Sequence, residues 1–175
     1  GMGDPVCIAC GRLAFVLGVH GPCMSVDTAC SSALVAAHVA ACAVAGEEGG
    51  SAIPAGVSLQ LLPYSSLGLG AAGMLSVDGR CKTFDARANG LARAEAVVAA
   101  YLQPWTATAT CIAGSAVRSD GRSASLTAPS GAAQRILLRA VLACSAMALD
   151  EVGGVQAHGT GTALGDPTES GALAG

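Results

Sequence analysis

Cys30 combines a nucleophilic side chain with a position that favours its reactivity. It lies in the run VDTACSS (residues 26–32), after a short apolar segment and at the start of a segment rich in alanine, leucine and valine over residues 31–45. The unpaired N–H groups at the start of a helix stabilise a thiolate and an oxyanion, and small neighbouring side chains leave room for a substrate carbonyl. The pattern predicts a cysteine nucleophile for acyl transfer. A buried structural cysteine is the alternative that the local sequence leaves open.

His158 is the second candidate for chemistry. It ends a strand predicted over residues 152–157 and precedes a loop rich in glycine and threonine over residues 159–165. Catalytic side chains collect at strand ends in α/β sheets, and a neutral imidazole can donate a hydrogen bond to an enolate or accept a proton. We therefore predict one of these roles for His158. A histidine that only caps the strand is the competing interpretation.

Two further motifs suggest other classes of protein but are incomplete. Cys7 and Cys10 have the C-x-x-C spacing of half a zinc site or of a redox pair, yet no second pair of ligands follows. Residues 68–73 match G-x-G-x-x-G, but residues 63–66 (PYSS) separate them from the preceding predicted strand, so the strand-to-helix turn that binds a pyrophosphate is missing. We expect neither a metal nor a dinucleotide.

The composition excludes several classes of function. The chain has 175 residues, of which 52% are hydrophobic and 12% charged, with nine basic and twelve acidic residues (9 − 12 = −3) and no basic run that could bind nucleic acid. The longest apolar stretch, residues 33–45, is shorter than the roughly 20 residues of a membrane span. Eight irregularly spaced cysteines predict reduced thiols in the cytoplasm or an organellar stroma, not a secreted protein. A mean hydropathy of +0.56 leads us to expect that the chain is the middle of a larger domain.

The elements that must position these residues alternate between strands and helices. Strands are predicted over residues 24–26, 53–62, 96–102, 108–117 and 152–157, the third and fourth joined as a hairpin through residues 103–105. Helices are predicted over residues 31–45, 64–74 and 129–147, with a last one opened by Asp166 as N-cap and Pro167. Residues 76–90 are polar and predict a long loop. The order is that of a mixed α/β fold.

Taken together, these stretches closely resemble the β-ketoacyl synthase domain of type I polyketide synthases, a member of the thiolase-like superfamily. The resemblance rests on four groups of residues in the family's order: GP and VDTACSS (21–22, 26–32), MLSVDGRCKTFD (74–85), GSAV with DGR and LTAP (114–117, 120–122, 126–129), and AHGTGT with GDPTE (157–162, 165–169).

The resemblance implies a fold and a set of site residues. The fold would be a thiolase-like layered α/β/α/β/α arrangement, with residues 1–175 as an incomplete central fragment that lacks the N-terminal and C-terminal parts of a ketosynthase domain. Cys30 would be the acyl-accepting nucleophile, and His158 would assist decarboxylation of a malonyl-type extender. Thr160 and Thr162 would hydrogen-bond the phosphopantetheine arm, and Glu169 would be a supporting carboxylate near the active-site lysine.

The resemblance also implies partners. Substrates would arrive on the phosphopantetheine of an acyl carrier protein, beside other polyketide synthase domains and in a homodimer, with no metal or cofactor bound by the domain itself. The family's second histidine and its lysine lie in a Lys-Ser-Asn-x-Gly-His stretch that we expect beyond Gly175. Ala94 and Ala96 replace family glycines, which mildly favours the alternative, a non-elongating acyl-transfer or carrier-protein docking module.

Overall fold

The computed structural model describes residues 6–46, 50–106 and 110–175. Within these residues the chain forms five α-helices and two β-strands. It divides into two compact units, one made of Gly1–Ser58 with Ala96–Ile112 and the other of Leu59–Glu95 with Ala113–Gly175.

The first unit contains two helices and the two strands. Its elements are α1 (Val6–Leu17), α2 (Ser32–Ala45), β1 (Ala55–Ser58) and β2 (Ala96–Ala99). The strands pair antiparallel, with Ala55 opposite Ala99, and an isolated bridge joins Ala52 to Leu102. The predicted strands at residues 53–62 and 96–102 therefore exist, in shorter form.

Helix α2 packs on strand β1 at a contact between two small residues. A Cβ atom at Gly56 would lie 2.8 Å from the Cβ atom of Ala33, so glycine at this position allows the helix to approach the strand closely. The helix predicted over residues 31–45 begins one residue later, and the N–H of Gly46 ends it by donating to the carbonyl oxygen of Cys42 at 2.8 Å.

The second unit contains three helices, α3 (Tyr64–Ala71), α4 (Gly131–Ser145) and α5 (Gly165–Leu173). Helices α4 and α5 pack together. Ala133 of α4 and Ala172 of α5 are 9% and 3% exposed. The Ser130 hydroxyl caps α4 by accepting the N–H of Ala133 at 3.2 Å, which sets the start of the predicted 129–147 helix.

Three of the predicted strand features differ from the structure. Residues 24–26 and 152–157 form no strand, and the hairpin between residues 96–102 and 108–117 is wrong because β2 pairs with β1. Residues 108 and 109 of that predicted hairpin lie outside the described residues, and residues 110–117 form no strand. The apolar, β-branched side chains of such runs fit a sheet surface, but strand pairing also needs a backbone partner, which local sequence does not specify.

The N-cap predicted for the last helix is also wrong. Helix α5 starts at Gly165 after Leu164, and Asp166 lies in its first turn. The Asp166 side chain accepts backbone N–H groups from Gly161 and Phe84, so tertiary hydrogen bonds replace the local cap that the Asp-Pro pair predicted.

Much of the apolar surface is exposed. Phe15, Val77 and Leu126 are 89%, 93% and 103% exposed, and among the described residues Ala133 and Ala172 are the buried hydrophobic ones. The low charged fraction predicted such a surface, and large exposed apolar areas are typical of interaction surfaces. No helix in the described part of the chain has the length and apolarity that crossing a membrane requires.

Candidate active site

Cys30 lies in a 3₁₀ turn, Ala29–Ser31, that leads directly into α2. The residue is exposed in this chain. The predicted placement at the start of a long helix is confirmed, so the thiol stands where the helix dipole favours an anion.

The residue before Cys30 has an unusual backbone conformation. Ala29 has φ of +56°, in the left-handed region that costs a non-glycine residue about 1–3 kcal/mol. Its N–H donates to the Asp27 carboxylate at 3.0 Å, and its carbonyl oxygen accepts the Ser32 hydroxyl at 2.7 Å. Both polar groups of the strained residue are therefore held by neighbouring side chains.

Hydroxyl groups on both sides of Cys30 complete this turn. The Ser32 hydroxyl accepts the N–H of Thr28 at 2.8 Å, and the Ser31 hydroxyl lies 2.9 Å from both the carbonyl oxygen and the hydroxyl of Thr28. The run VDTACSS thus folds into a turn fixed by its own short polar side chains, with the cysteine side chain left exposed.

His158 is held through its backbone. The Glu169 carboxylate accepts the N–H of His158 at 2.7 Å on Oε1 and the N–H of Gly159 at 2.8 Å on Oε2. Two consecutive peptide units are therefore bound to one side chain of α5, while His158 itself is exposed. Residues 158–161, here called the His158 loop, are placed by this carboxylate.

The other end of the His158 loop is equally constrained. Gly161 is buried, its N–H donates to Asp166 Oδ1 at 3.0 Å, and its carbonyl oxygen accepts the N–H of Gly90 at 3.0 Å. Gly161 has φ of +73°, and a Cβ atom there would lie 2.7 Å from the backbone nitrogen of Lys82. Glycine is required here for both conformation and space.

Thr160 and Thr162 point their hydroxyl groups at each other, 3.0 Å apart. The Thr162 hydroxyl also accepts the N–H of Gly165 at 3.1 Å. Thr162 lines a cavity of about 490 Å³, whose other lining residues include Phe84, Asp85, Asp166 and Ser170. One threonine of the predicted pair therefore lines a cavity.

Residues 76–90 form the loop that their polar composition predicted, and a network of polar side chains holds it. The Lys82 ammonium lies 2.7 Å from the Asp78 carboxylate and 3.0 Å from Asn89 Oδ1, and the Ser76 hydroxyl donates to Asp78 at 2.6 Å. Lys82 first and Ser76 second hold the pKa of Asp78 well below its usual range because both favour the charged carboxylate.

Ala94 and Ala96 fit the backbone without strain. In the described part of the chain the non-glycine residues with positive φ are Ala29, Phe84 and Ala146, so neither position needs a glycine for its conformation. The substitution by alanine at these two positions gives no conformational reason for an inactive protein.

The competing motifs have structural roles. Cys7 and Cys10 lie one turn apart on α1, where the Cys10 thiol donates to the Cys7 carbonyl oxygen at 3.6 Å. No three His, Cys, Asp or Glu side chains within residues 6–46, 50–106 and 110–175 form a group that could hold a metal. Gly68 and Gly70 of the G-x-G-x-x-G match lie inside α3, so no strand-to-helix turn exists for a pyrophosphate.

The structure brings together some predicted residues and adds others. His158, Thr160, Thr162 and Glu169 share one loop and helix of the second unit, whereas Cys30 lies in the first unit. Sequence reasoning missed Asp166 as an anchor, because its Asp-Pro context predicted an N-cap. It also missed the anchoring role of Asp27, for which an aspartate two residues before a turn position was the available signal.

The family models place the whole chain in one family. Residues 1–107 match "Beta-ketoacyl synthase, N-terminal domain", and residues 109–175 match "Beta-ketoacyl synthase, C-terminal domain". The boundary between the two matches falls at residue 108, after strand β2 in sequence.

Curated relatives are large polyketide synthases. The chain is 42% identical over 174 residues to a phenolphthiocerol/phthiocerol polyketide synthase of Mycobacterium tuberculosis, covering 95% of this chain and 8% of that protein. It is 42% identical over 180 residues to the erythronolide synthase EryA2 of Saccharopolyspora erythraea, covering 99% of this chain and 5% of that protein. The chain thus spans a small part of the relatives it matches.

Solved ketosynthase structures share the fold. The oxazolomycin ketosynthase domain from Streptomyces albus superposes with a TM-score of 0.94 at 31% identity, and the ketosynthase from module 6 of the bacillaene synthase of Bacillus subtilis with 0.91 at 39%. Each alignment covers 98% of this chain, and 31% and 32% of those chains. The predicted thiolase-like fold and polyketide synthase resemblance are confirmed: the chain belongs to the β-ketoacyl synthase family, in its type I polyketide synthase branch.

Proposed function

We propose that the protein containing this chain is a β-ketoacyl synthase that extends an acyl chain by decarboxylative Claisen condensation. The observation that carries the proposal is the exposed thiol of Cys30 at the start of α2, in a turn held by Asp27, Thr28 and Ser32. Membership of the family supports it. We propose further that residues 1–175 belong to the central part of a single ketosynthase domain.

The first step is acyl transfer to Cys30. The thiolate attacks the carbonyl carbon of an acyl thioester, and a new S–C bond forms. The negative charge then lies on the carbonyl oxygen of a tetrahedral intermediate. This intermediate collapses when the C–S bond to the carrier breaks and the carrier thiolate leaves. The N–H of Cys30 contributes to binding this oxyanion, and the start of α2 favours negative charge on both the thiolate and the oxyanion.

The second step uses His158. A malonyl-type thioester loses CO₂, and the electron pair of the broken C–C bond becomes an enolate whose oxygen accepts a hydrogen bond from the imidazole N–H. The enolate carbon attacks the acyl group on Cys30, the C–C bond forms, and the C–S bond breaks to restore the thiolate. A second histidine and a lysine, from the Lys-Ser-Asn-x-Gly-His stretch expected by resemblance, complete the set.

The partners follow from this chemistry. Thr160 and Thr162 hydrogen-bond the phosphopantetheine arm of an acyl carrier protein, which carries the substrate. The domain itself holds no resident cofactor. Glu169 supports the site near the lysine. The protein acts beside other polyketide synthase domains, as a homodimer in the cytoplasm or an organellar stroma. Its exposed apolar surface supports contacts with these partners.

Acylation of Cys30 in the full-length protein tests the nucleophile. Incubation with an acyl thioester is expected to add one acyl mass to the peptide that contains Cys30, and Cys30→Ala abolishes this addition. Cys144→Ala is the matched control, because Cys144 is also exposed but lies in α4. Acylation that persists in Cys30→Ala would refute the assignment.

Release of CO₂ from a malonyl thioester tests His158. His158→Ala is expected to retain acylation of Cys30 and to lose decarboxylation, whereas His20→Ala, at another exposed histidine, retains both. Unchanged CO₂ release in His158→Ala removes that role. Acylation by wild-type protein without any decarboxylation would favour the alternative function, a non-elongating acyl-transfer or docking module.

A further inference from the structure

A threonine distant in sequence holds the backbone next to His158. The Thr83 hydroxyl donates to the carbonyl oxygen of Gly159 at 2.6 Å, across 76 positions of sequence. Glu169 already holds the N–H groups of His158 and Gly159. The peptide units before and after His158 are therefore fixed by Glu169, and the next unit is fixed by Thr83.

The Thr83 side chain also fills the space beside Gly159. Gly159 has φ of +53°, and a Cβ atom there would lie 2.6 Å from Thr83 Cγ2 and 3.8 Å from Phe84 Cε2. The methyl group of Thr83 thus packs directly against the His158 loop while its hydroxyl makes the hydrogen bond. This contact involves the side chain of Thr83 and the backbone of the loop.

Thr83 is itself held in place by its neighbours. Phe84 has φ of +56°, and its N–H donates at 2.7 Å to Oδ2 of Asp166, which is 4% exposed. On the other side, Lys82 is bound to the Asp78 carboxylate. Because the residues on both sides are anchored, the backbone at Thr83 is constrained, and from there its hydroxyl reaches Gly159.

We propose that Thr83 is a positioning residue that sets the orientation of His158 for the decarboxylation step. The proposal rests on the function proposed above. His158 is exposed, and its backbone hydrogen bonds are the interactions that define its place. Loss of the Thr83 hydrogen bond frees the Gly159–Thr160 peptide and lets the imidazole leave the direction from which it donates to the enolate oxygen. The attack of the Cys30 thiolate on an acyl thioester needs no group from His158, so acylation by a small thioester without the phosphopantetheine arm is expected to be independent of its orientation.

The test compares two substitutions of Thr83 in the full-length protein. Thr83→Val keeps the shape but removes the donor, whereas Thr83→Ser keeps the donor and removes the methyl group. Thr83→Val is expected to slow decarboxylation about five- to tenfold, the size of one lost hydrogen bond, and to leave unchanged the acylation of Cys30 by a small acyl thioester without the phosphopantetheine arm. Thr83→Ser restores most of the rate. Thr168→Val is the matched control, because Thr168 also donates to a backbone carbonyl, that of Leu164.

Hydrogen–deuterium exchange of the peptide containing residues 158–161 gives a second readout. Thr83→Val is expected to accelerate this exchange, and Thr168→Val to leave it unchanged. The proposal is overturned if Thr83→Val decarboxylates at the wild-type rate, if it loses acylation and decarboxylation equally, or if Thr83→Ser is as slow as Thr83→Val. Failure of the proposed function has a different signature, since wild-type protein would then lack acylation or decarboxylation even though the exchange difference persists.

Discussion

Glu169 accepts the backbone N–H of His158 at 2.7 Å with one carboxylate oxygen and leaves the other for the next residue. Hydrogen bonds from N–H groups to a charged carboxylate are stronger than those between neutral groups. The resemblance gives Glu169 a place near the active-site lysine, and the geometry adds a direct connection to the histidine. The position of His158 therefore depends on a residue eleven positions later, in another element.

Replacing Glu169 by glutamine is expected to disturb the His158 loop. An amide has one acceptor oxygen, so its NH₂ group would face one of the two N–H donors. We expect Glu169→Gln to reduce decarboxylation about tenfold, the size of one lost charge-assisted hydrogen bond, while acylation of Cys30 by a small acyl thioester without the phosphopantetheine arm stays at the wild-type rate. CO₂ release and acyl-mass measurements check both expectations.

A matched control is available at Glu151, whose carboxylate accepts a single N–H, that of Ala148, at 2.7 Å. Glutamine can keep that one hydrogen bond, so Glu151→Gln retains activity. Equal activity of Glu169→Gln and wild-type protein would show that the double hydrogen bond does not position His158.

The turn before Cys30 is expected to depend on the acceptor at Asp27. Asp27→Ala removes the acceptor of the N–H of the strained Ala29, which destabilises the turn by about 1 kcal/mol. Because the turn presents the thiol, we expect acylation of Cys30 to be about fivefold slower. Asp27→Asn keeps an acceptor oxygen and is expected to acylate at close to the wild-type rate. Stopped-flow or timed mass measurement of acyl-Cys30 compares the two, and equal rates for the alanine and asparagine variants would contradict the prediction.

Gly161 is expected to tolerate no side chain. Gly161→Ala places a Cβ atom at positive φ and 2.7 Å from the Lys82 nitrogen, whereas Gly121→Ala places one at nearly the same φ, +66°, with nothing within 4 Å. The Gly121 variant should lose about 1 kcal/mol of stability from conformation alone, and Gly161→Ala clearly more. Denaturant unfolding of each variant measures the free energy of unfolding. Similar losses of stability in the two variants would mean that the backbone at Lys82 moves away from position 161 at no cost.

Lys82 is expected to control the titration of Asp78. Since the ammonium favours the charged carboxylate, the pKa of Asp78 lies well below its usual range in the folded chain. Below about pH 3.9, the unfolded chain binds a proton at Asp78 that the folded chain does not bind. The stability that the ion pair contributes is therefore complete above that pH and is lost as the pH falls. An NMR titration should show the Asp78 pKa rising towards its ordinary value in Lys82→Met. An unchanged pKa would leave Ser76 and Asn89 as its cause.

The sequence predicted the elements with strong local signals and the order of the site motifs. Helix α2 follows from its content of alanine, leucine and valine, helix α4 from apolar residues at helical spacing, and the position of Cys30 from the helix it precedes. Strand pairing was predicted less well. Strand β2 pairs with β1, about 40 positions earlier in the sequence, whereas the prediction paired it with the following segment, residues 108–117. Pairing of this kind is decided by packing over long distances in sequence.

The residues that fix the site were the hardest to predict. Nothing in the sequence marks Ala29 or Phe84 as residues with positive φ, because alanine and phenylalanine avoid that conformation in isolation. Their conformations arise from the acceptors Asp27 and Asp166, whose partners become visible once the chain is folded. Local propensity is overridden here by hydrogen bonds that only the tertiary structure supplies.

The backbone contacts of the His158 loop have a consequence for enzyme engineering. Glu169, Asp166 and Thr83 all bind main-chain atoms of the loop, so these three anchors do not involve the side chain at position 160, whose hydroxyl contacts Thr162. A combinatorial library that varies Thr160 while conserving those three residues and Gly161 should therefore keep a folded loop, and amide exchange across residues 158–161 would reveal any member that loses it. The role proposed for Thr160 toward the phosphopantetheine arm can thus be varied without redesigning the scaffold that carries the histidine.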